Sequence, residues 1–495
     1  MESLPSKSPA MDIQANDDKV ERGEVLPVST RHHDNGLRRD LKRRHINMIA
    51  IAGTIGTGLF LAPGNAIATG GPVGALFGYI VMGLITWAVA LMTGDISAFM
   101  PVTGGFPALG TATGWNFWYT MAITAPAEIS AAATVINFWN TSISPAVWFS
   151  IFIVVIMALN FSPVKVYGEN EVFFAVLKIS LIIGLIIAGI VVDLGGGPDQ
   201  DRTGFRYWKS PGPFAAYLDP GNTGKFLGFW STLISAAYSY ANVQVIALAG
   251  AETQNPRKVI PNAVRMTFWR VMIFYVLSIF VVGLLVPSND PNLGISNASR
   301  TLIGLAEEGQ APAWFLRTNR FGTPYLAVSA SLIFTPLVYL ALGSSSGVVF
   351  GWFVNITTIA GLIGWLIICV TYLRFFYGMR AQGTDRDGLP YKSPLQPYAA
   401  WTTLVALVVV ILTSGYSGFF SGRWDVSSCL TYYIDIAIFI SLWMVSLFFF
   451  RAKPVSLSDT DLSEIYLIEQ ERSEAKQMAI LEEGFRDSWW RRWLI

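Results

Sequence analysis

The sequence predicts an all-α, polytopic membrane protein, and three observations carry that prediction. Of 495 residues, 53% are hydrophobic and 14% charged, with a mean hydropathy of +0.47, a balance far from that of soluble globular chains. The apolar residues gather in runs of about 20, the length a helix needs to cross roughly 30 Å of hydrocarbon. Lys and Arg lie in short clusters between those runs and read as topology signals. With a net charge of +1, there is no basic field to attract nucleic acid.

Residues 1–42 are polar, lack helical apolar periodicity and read as a disordered cytosolic tail. Charged and Pro-containing sequence stands where a secretory signal would have its apolar core. Arg38, Arg39, Lys42, Arg43 and Arg44 precede the first span and place the N-terminus in the cytosol. The apolar, membrane-spanning region then runs over 43–450, and residues 451–495 read as a second cytosolic tail.

The first span, 46–69, is interrupted by Gly53, Gly56 and Gly58, with Thr54 and Thr57 between them. Glycine is poor inside a helix and lets the backbone turn or a ligand approach. Within hydrocarbon, freed peptide groups are tolerated where they line a cavity or meet a ligand. A helix broken near mid-membrane is therefore a candidate site, its end N–H groups able to hold a carboxylate. A close helix crossing is the competing explanation, because small residues also mark packing faces.

Further spans follow at 72–100, 112–139, 145–161 and 172–192. A polar loop occupies 193–225. Spans at 226–251, 267–286, 324–342, 348–375, 399–416 and 430–450 bring the total to about eleven. The 226–251 run carries a second polar break, with Ser239, Asn242 and Gln244 in apolar surroundings. Near the C-terminus, Trp489, Trp490 and Trp493 beside Arg491 and Arg492 suit an amphipathic helix at headgroup level or against a soluble partner.

Asp95, Glu128, Lys178 and Asp435 stand within apolar runs, where ionisable groups are expensive and mark a pathway or relay by default. For Glu128 and Lys178 a structural ion pair is the alternative. Asp95 lies near the end of its span, within reach of headgroups or water. Asp435, with no polar sequence neighbours of note, suits a structural role. The two cysteines, Cys369 and Cys429, form no spaced pattern. His32, His33 and His45 all precede or just touch the first span, which excludes His-ligated haem, copper or zinc within the membrane. No cofactor is expected. No nucleophile is paired with a base, so an enzyme is not expected either.

Several stretches in order, RRHINMIAIAGTIGTGLFL, GWNFWYTMAITAPAEISAAATVINFW, VKVYGENEVFFAVLKIS, GAETQNPRKVIPNA, VVFGWFVNITTIAGLIGW and TDRDGLPYKSPLQPY, resemble the fungal amino-acid permeases of the amino acid, polyamine and organocation transporter superfamily. The resemblance implies a LeuT-type core of two inverted five-helix repeats with two further helices. It also implies proton-coupled uptake of an amino acid through the plasma membrane. By position, Thr54, Ile55, Gly56, Thr57 and Gly58 would offer N–H groups to the substrate carboxylate. Carbonyls at Tyr238, Ser239 and Ala241 would accept the ammonium, while Tyr240 and Asn242 shape the pocket. A zwitterion suits two half-helix ends because its charges meet opposite dipoles. Lys178 resembles the fifth-helix lysine that stands where sodium sits in sodium-coupled relatives, and Glu128 matches a third-helix glutamate with a pathway role.

Three departures from the family pattern matter. YSYANVQ replaces the usual sixth-helix stretch, with Asn242 for a glycine and Gln244 for an acid, so specificity does not transfer. A short stretch before the third helix is absent at Gly105–Pro107. After VGLLVPSNDPNLGIS the chain passes directly to NASRTLIGLAEEGQAP, so most of the family's eighth helix is missing. Its loss changes parity: an odd number of crossings cannot put both the 257–265 and the 300–320 basic clusters in the cytosol. A glycan at Asn297, in the sequon Asn297-Ala298-Ser299, would reject a cytosolic loop there. A non-transporting sensor or a splice or gene-model variant on the same scaffold is the alternative function. The sequence fixes neither substrate nor oligomeric state.

Overall fold

The computed structural model describes residues 57–59, 62–99, 107–139, 143–161, 164–196, 200–241, 272–288, 329–330, 333–342, 346–384, 386, 389, 391–419 and 426–450, with isolated positions between 456 and 477. Regular structure among the described residues is helical. The long helices are α1 (Ala62–Phe99), α2 (Pro107–Trp139), α3 (Pro145–Asn160), α4 (Val164–Val191), α5 (Asn222–Tyr240), α6 (Met272–Leu285), α7 (Ser346–Ala381), α8 (Tyr398–Thr413) and α9 (Val426–Phe450). Proline opens α2 and α3, where its missing N–H and fixed φ cost nothing. Within the described residues, five segments are long and apolar enough to cross a membrane: Ala62–Ser97, Val172–Gly196, Val348–Ala381, Tyr398–Phe419 and Cys429–Phe449. Much of the first span, residues 242–271 and 289–328, the 1–42 tail and most of 451–495 lie outside the described residues.

The boundary read between the first two spans falls at a kink within α1. Gly71 has φ 74° and ψ 171°, outside helical geometry, and Pro72 follows it. An extended loop segment is hydrogen-bonded to this bend: Val73 N–H donates to Pro213 O (3.0 Å) and Ala215 N–H to Gly70 O (3.2 Å). A Cβ at Gly71 would stand 2.6 Å from Ala215 N, so both the left-handed φ and the space require glycine. Further along the loop, Trp208 Nε1–H donates to Gly283 O of α6 (2.9 Å).

α1 packs most extensively against α5. Gly70, Gly74 and Gly78 recur every fourth residue and bring the backbones together. Thr232 is wedged between Gly70 and Gly78, one on each side of the kink, and an added Cβ at Gly228 would lie 2.5 Å from Thr69 O. Around this pair lies a core that includes Tyr79, Tyr240, Tyr275, Trp365 and Tyr372. A second cluster joins Ile123 and Ala127 of α2, Tyr238 of α5 and Phe350 and Phe353 of α7. The outward faces of α3, α4 and α9 are apolar, with Val154 64%, Phe173 63% and Phe448 81% exposed, as a hydrocarbon solvent allows.

Two sequence expectations need correction. Asp95 does not reach headgroups or water: it is 1% exposed and paired with Arg386 Nη2 (2.8 Å). The basic loop after α7 supplies a cation and donors that span-by-span reading cannot place opposite it. The described end of the 324–342 span is 3-10 rather than α-helical over Thr335–Leu342. Leu337 N–H bonds Phe334 O three residues back (3.0 Å), and Pro336 lacks a donor to continue an α pattern.

Candidate functional site

The polar break read in the sixth span is a helix end. α5 stops at Tyr240, and Ala241 leaves the helix at φ −53°, ψ 158°, its N–H returning to Tyr238 O (3.2 Å). A short 3-10 turn, Thr57–Leu59, meets this end. Gly58 abuts Ser239 so closely that a Cβ on Gly58 would stand 2.6 Å from Ser239 Cα. The two breaks read from sequence therefore touch.

Ser239 organises the junction. Its Oγ lies 2.7 Å from Gly58 O and 2.9 Å from Ser235 O, with Tyr79 Oη also at 2.7 Å. One hydroxyl proton can satisfy one carbonyl at a time, so Tyr79 is the donor into the serine oxygen. Tyr275 Oη donates to Ser239 O at 2.7 Å, closing one of the carbonyls that a helix end leaves open. Beneath them, the Tyr240 ring stands 4.8 Å from Tyr275 and 6.0 Å from Tyr79 between centroids. Its buried hydroxyl has no hydrogen-bond partner among the described residues. Asn65 Nδ2 donates to Ser235 Oγ (3.2 Å).

Tyr238 turns to the other side, edge-on to Phe350 of α7 with centroids 6.3 Å apart. Thr54, Ile55, Gly56 and Asn242 lie outside the described residues. Glu128 is half-buried on α2 and Lys178 half-buried on α4; the bonds that build the Ser239 junction come instead from Tyr79 and Tyr275. Sequence reading missed these two phenols. The available signal was a hydroxyl-bearing ring in the middle of an apolar run, where a buried Tyr needs a partner.

Tyr275→Phe keeps the ring and removes the donor to Ser239 O. A buried acceptor left unmatched costs about 1–3 kcal/mol, so the purified protein should melt at a lower temperature than wild type. An unchanged transition would mean that the carbonyl is satisfied some other way.

The arrangement places the carbonyl end of α5 beside the Thr57–Leu59 turn. Comparison with known proteins supplies its setting. The amino acid permease family model matches residues 45–298 and 294–458. The proline-specific permease of Emericella nidulans is 39% identical, with 88% of this chain and 88% of its own length covered. The proline-specific permease of Saccharomyces cerevisiae is 34% identical, covering 91% and 82%, and that organism's dicarboxylic amino acid permease is 33% identical, covering 89% and 82%. Among solved structures, the Eremococcus coleocola manganese transporter aligns with 83% of this chain and 94% of its own, at 13% identity and a TM-score of 0.49. A family model running from 45 to 458 and relatives this similar over most of their length establish that the chain belongs to the amino acid permease family, as an integral membrane transporter of amino acids and not an enzyme.

Proposed function

We propose that this permease takes up an amino acid across the plasma membrane together with a proton, from a cytosolic N-terminus, and holds the zwitterion where the two interrupted helices meet. The contact of Gly58 with Ser239 carries the reading. N–H groups of Thr54, Ile55, Gly56, Thr57 and Gly58 receive the carboxylate, as helix-end donors do. Carbonyls of Tyr238, Ser239 and Ala241 receive the ammonium. Tyr238 O accepts from Ala241 N–H and Ser239 O from Tyr275, and a carbonyl has a second lone pair to offer. Tyr240 and Asn242 bound the side-chain pocket, while Lys178 and Glu128 belong to the coupling pathway.

Two relatives described above are named for proline and one for dicarboxylic amino acids, so proline heads the substrate panel. The two matched blocks meet at 294–298, where the sequence reading places the missing eighth helix. Uptake by the purified chain therefore also tests whether it transports without that helix. In proteoliposomes, labelled proline is expected to enter faster with an inward acid gradient, and Lys178→Ala to remove the dependence on pH. Failure of every amino acid in a competition panel to enter or exchange would overturn the transport reading for this chain.

A further inference from the structure

We propose that Asp435 on α9 is a proton-binding carboxyl of this transporter, in a site shared with Tyr119 of α2 and additional to the Lys178 and Glu128 pathway; the proposal rests on the proton-coupled reading above. The Asp435 side chain is fully buried, although much of α9 around it is exposed and apolar. Neither of its oxygens has a hydrogen-bond partner among the described residues. The group that acts on it is the Tyr119 phenol, facing it from α2.

Several described polar groups on and beside α9 are engaged elsewhere. Asn355 of α7 donates to Thr431 Oγ1 (3.4 Å) and also meets Tyr432. Tyr433 Oη donates to Leu412 O of α8 (3.0 Å). Tyr416, ahead of α9, donates to Leu227 O (2.7 Å). Charged groups on the packed helices stand far off. Glu128 follows Tyr119 along α2 by about 13 Å, and Arg374 and Arg380 lie on the order of 30 Å or more along α7 from Asn355. Arg386 is committed to Asp95.

An ionised carboxylate enclosed, among the described residues, with no cation and only the Tyr119 phenol beside it carries a desolvation cost of several kcal/mol that one neutral donor does not offset. Taking up a proton removes that cost, so the enclosed state of the site is the protonated one. Releasing the proton requires water or a donor to reach Asp435, and hence a movement of α9 against α2. The consequence reaches the substrate through packing. Tyr119 borders the cluster that contains Ile123, Ala127, Tyr238 and Phe350, and Tyr238 lies in the turn that ends α5. A proton gained or lost beside Tyr119 thus acts on the wall of the substrate junction.

Asp435→Asn keeps the shape and cannot carry the proton. In proteoliposomes, exchange of labelled amino acid across the membrane should persist in this variant, while accumulation driven by an acid gradient falls to equilibrium. Asp435→Glu should retain accumulation. Infrared spectra of the wild type should contain a protonated carboxylic acid band that is absent from Asp435→Asn and that shifts in Tyr119→Phe. Retained acid-driven accumulation in Asp435→Asn, or no band assignable to Asp435, would overturn the proposal. Should Asp435→Asn fail to fold, the Tyr119→Phe band shift decides. Failure of the transport reading looks different: the wild type then exchanges no label at all, while the infrared band still reports whether Asp435 holds a proton.

Discussion

Arg386→Ala is expected to destabilise the purified protein by about 3–5 kcal/mol, the usual consequence of leaving a buried charge without its partner. The charge left behind is Asp95, whose side chain is 0% exposed against 14% for Arg386. In the native protein Asp95 Oδ2 receives Arg386 Nη2 (2.8 Å), Tyr372 Oη (2.7 Å) and Ser393 Oγ (2.6 Å), and Oδ1 receives Ser393 N–H (2.9 Å). The guanidinium also donates to Tyr372 Oη (2.9 Å) and Ser393 O (3.3 Å), and sits 5.4 Å from the Phe376 ring centroid. One carboxylate thus ties the end of α1 to α7 and to the segment that leads into α8. Three neutral donors remain in Arg386→Ala, but none supplies a counter-charge. The double variant Asp95→Asn with Arg386→Met should recover most of the loss, because neutral isosteres of a buried pair are often tolerated. Thermal unfolding in detergent checks this, and equal destabilisation of the single and double variants would show that the charge is not the cause.

Gly58→Ala is the second large effect. Its Cβ would sit 2.6 Å from Ser239 Cα and 3.2 Å from Ser239 N, and backbone cannot step aside as the tip of a flexible side chain does. Forcing one extra methyl into such a contact costs about 1–3 kcal/mol. If the junction is the binding site, that cost falls on the bound geometry and should weaken substrate affinity roughly tenfold to hundredfold. Gly361→Ala on α7 is the control, since nothing lies within 4 Å of the added Cβ. It should be neutral or stabilise by about 0.5–1 kcal/mol. Competition binding on both variants tests the contrast, and equal affinities would remove Gly58 from the site.

Glycines and helix-breaking signals made much of this legible in the sequence. The kink falls at Gly71–Pro72, where one span was read as ending and the next as beginning. Gly58 and Ser239, picked out because they interrupt apolar runs, are in contact. What the sequence could not supply was pairing over distance. Tyr79 and Tyr275 look like ordinary aromatic residues of apolar spans until α1, α5 and α6 bring their hydroxyls to one serine. Asp95 looked solvated because its partner lies 291 positions away. Asp435 showed no polar neighbour along its own helix, and its neighbour proved to be on α2. Linear patterns report the period of a helix and the cost of burying a charge, while partners are set by which helices pack together.

The glycine contacts between α1 and α5 have a mechanical consequence. Where the glycines bring two rods main chain to main chain, little side-chain bulk is left there to shear or swap rotamers, and sliding by one residue would drive Thr232 into solid backbone. The two are therefore held as a single piece, whereas the contact of α5 with α7 runs through bulky rings, Tyr238 and Phe350, that can roll over each other.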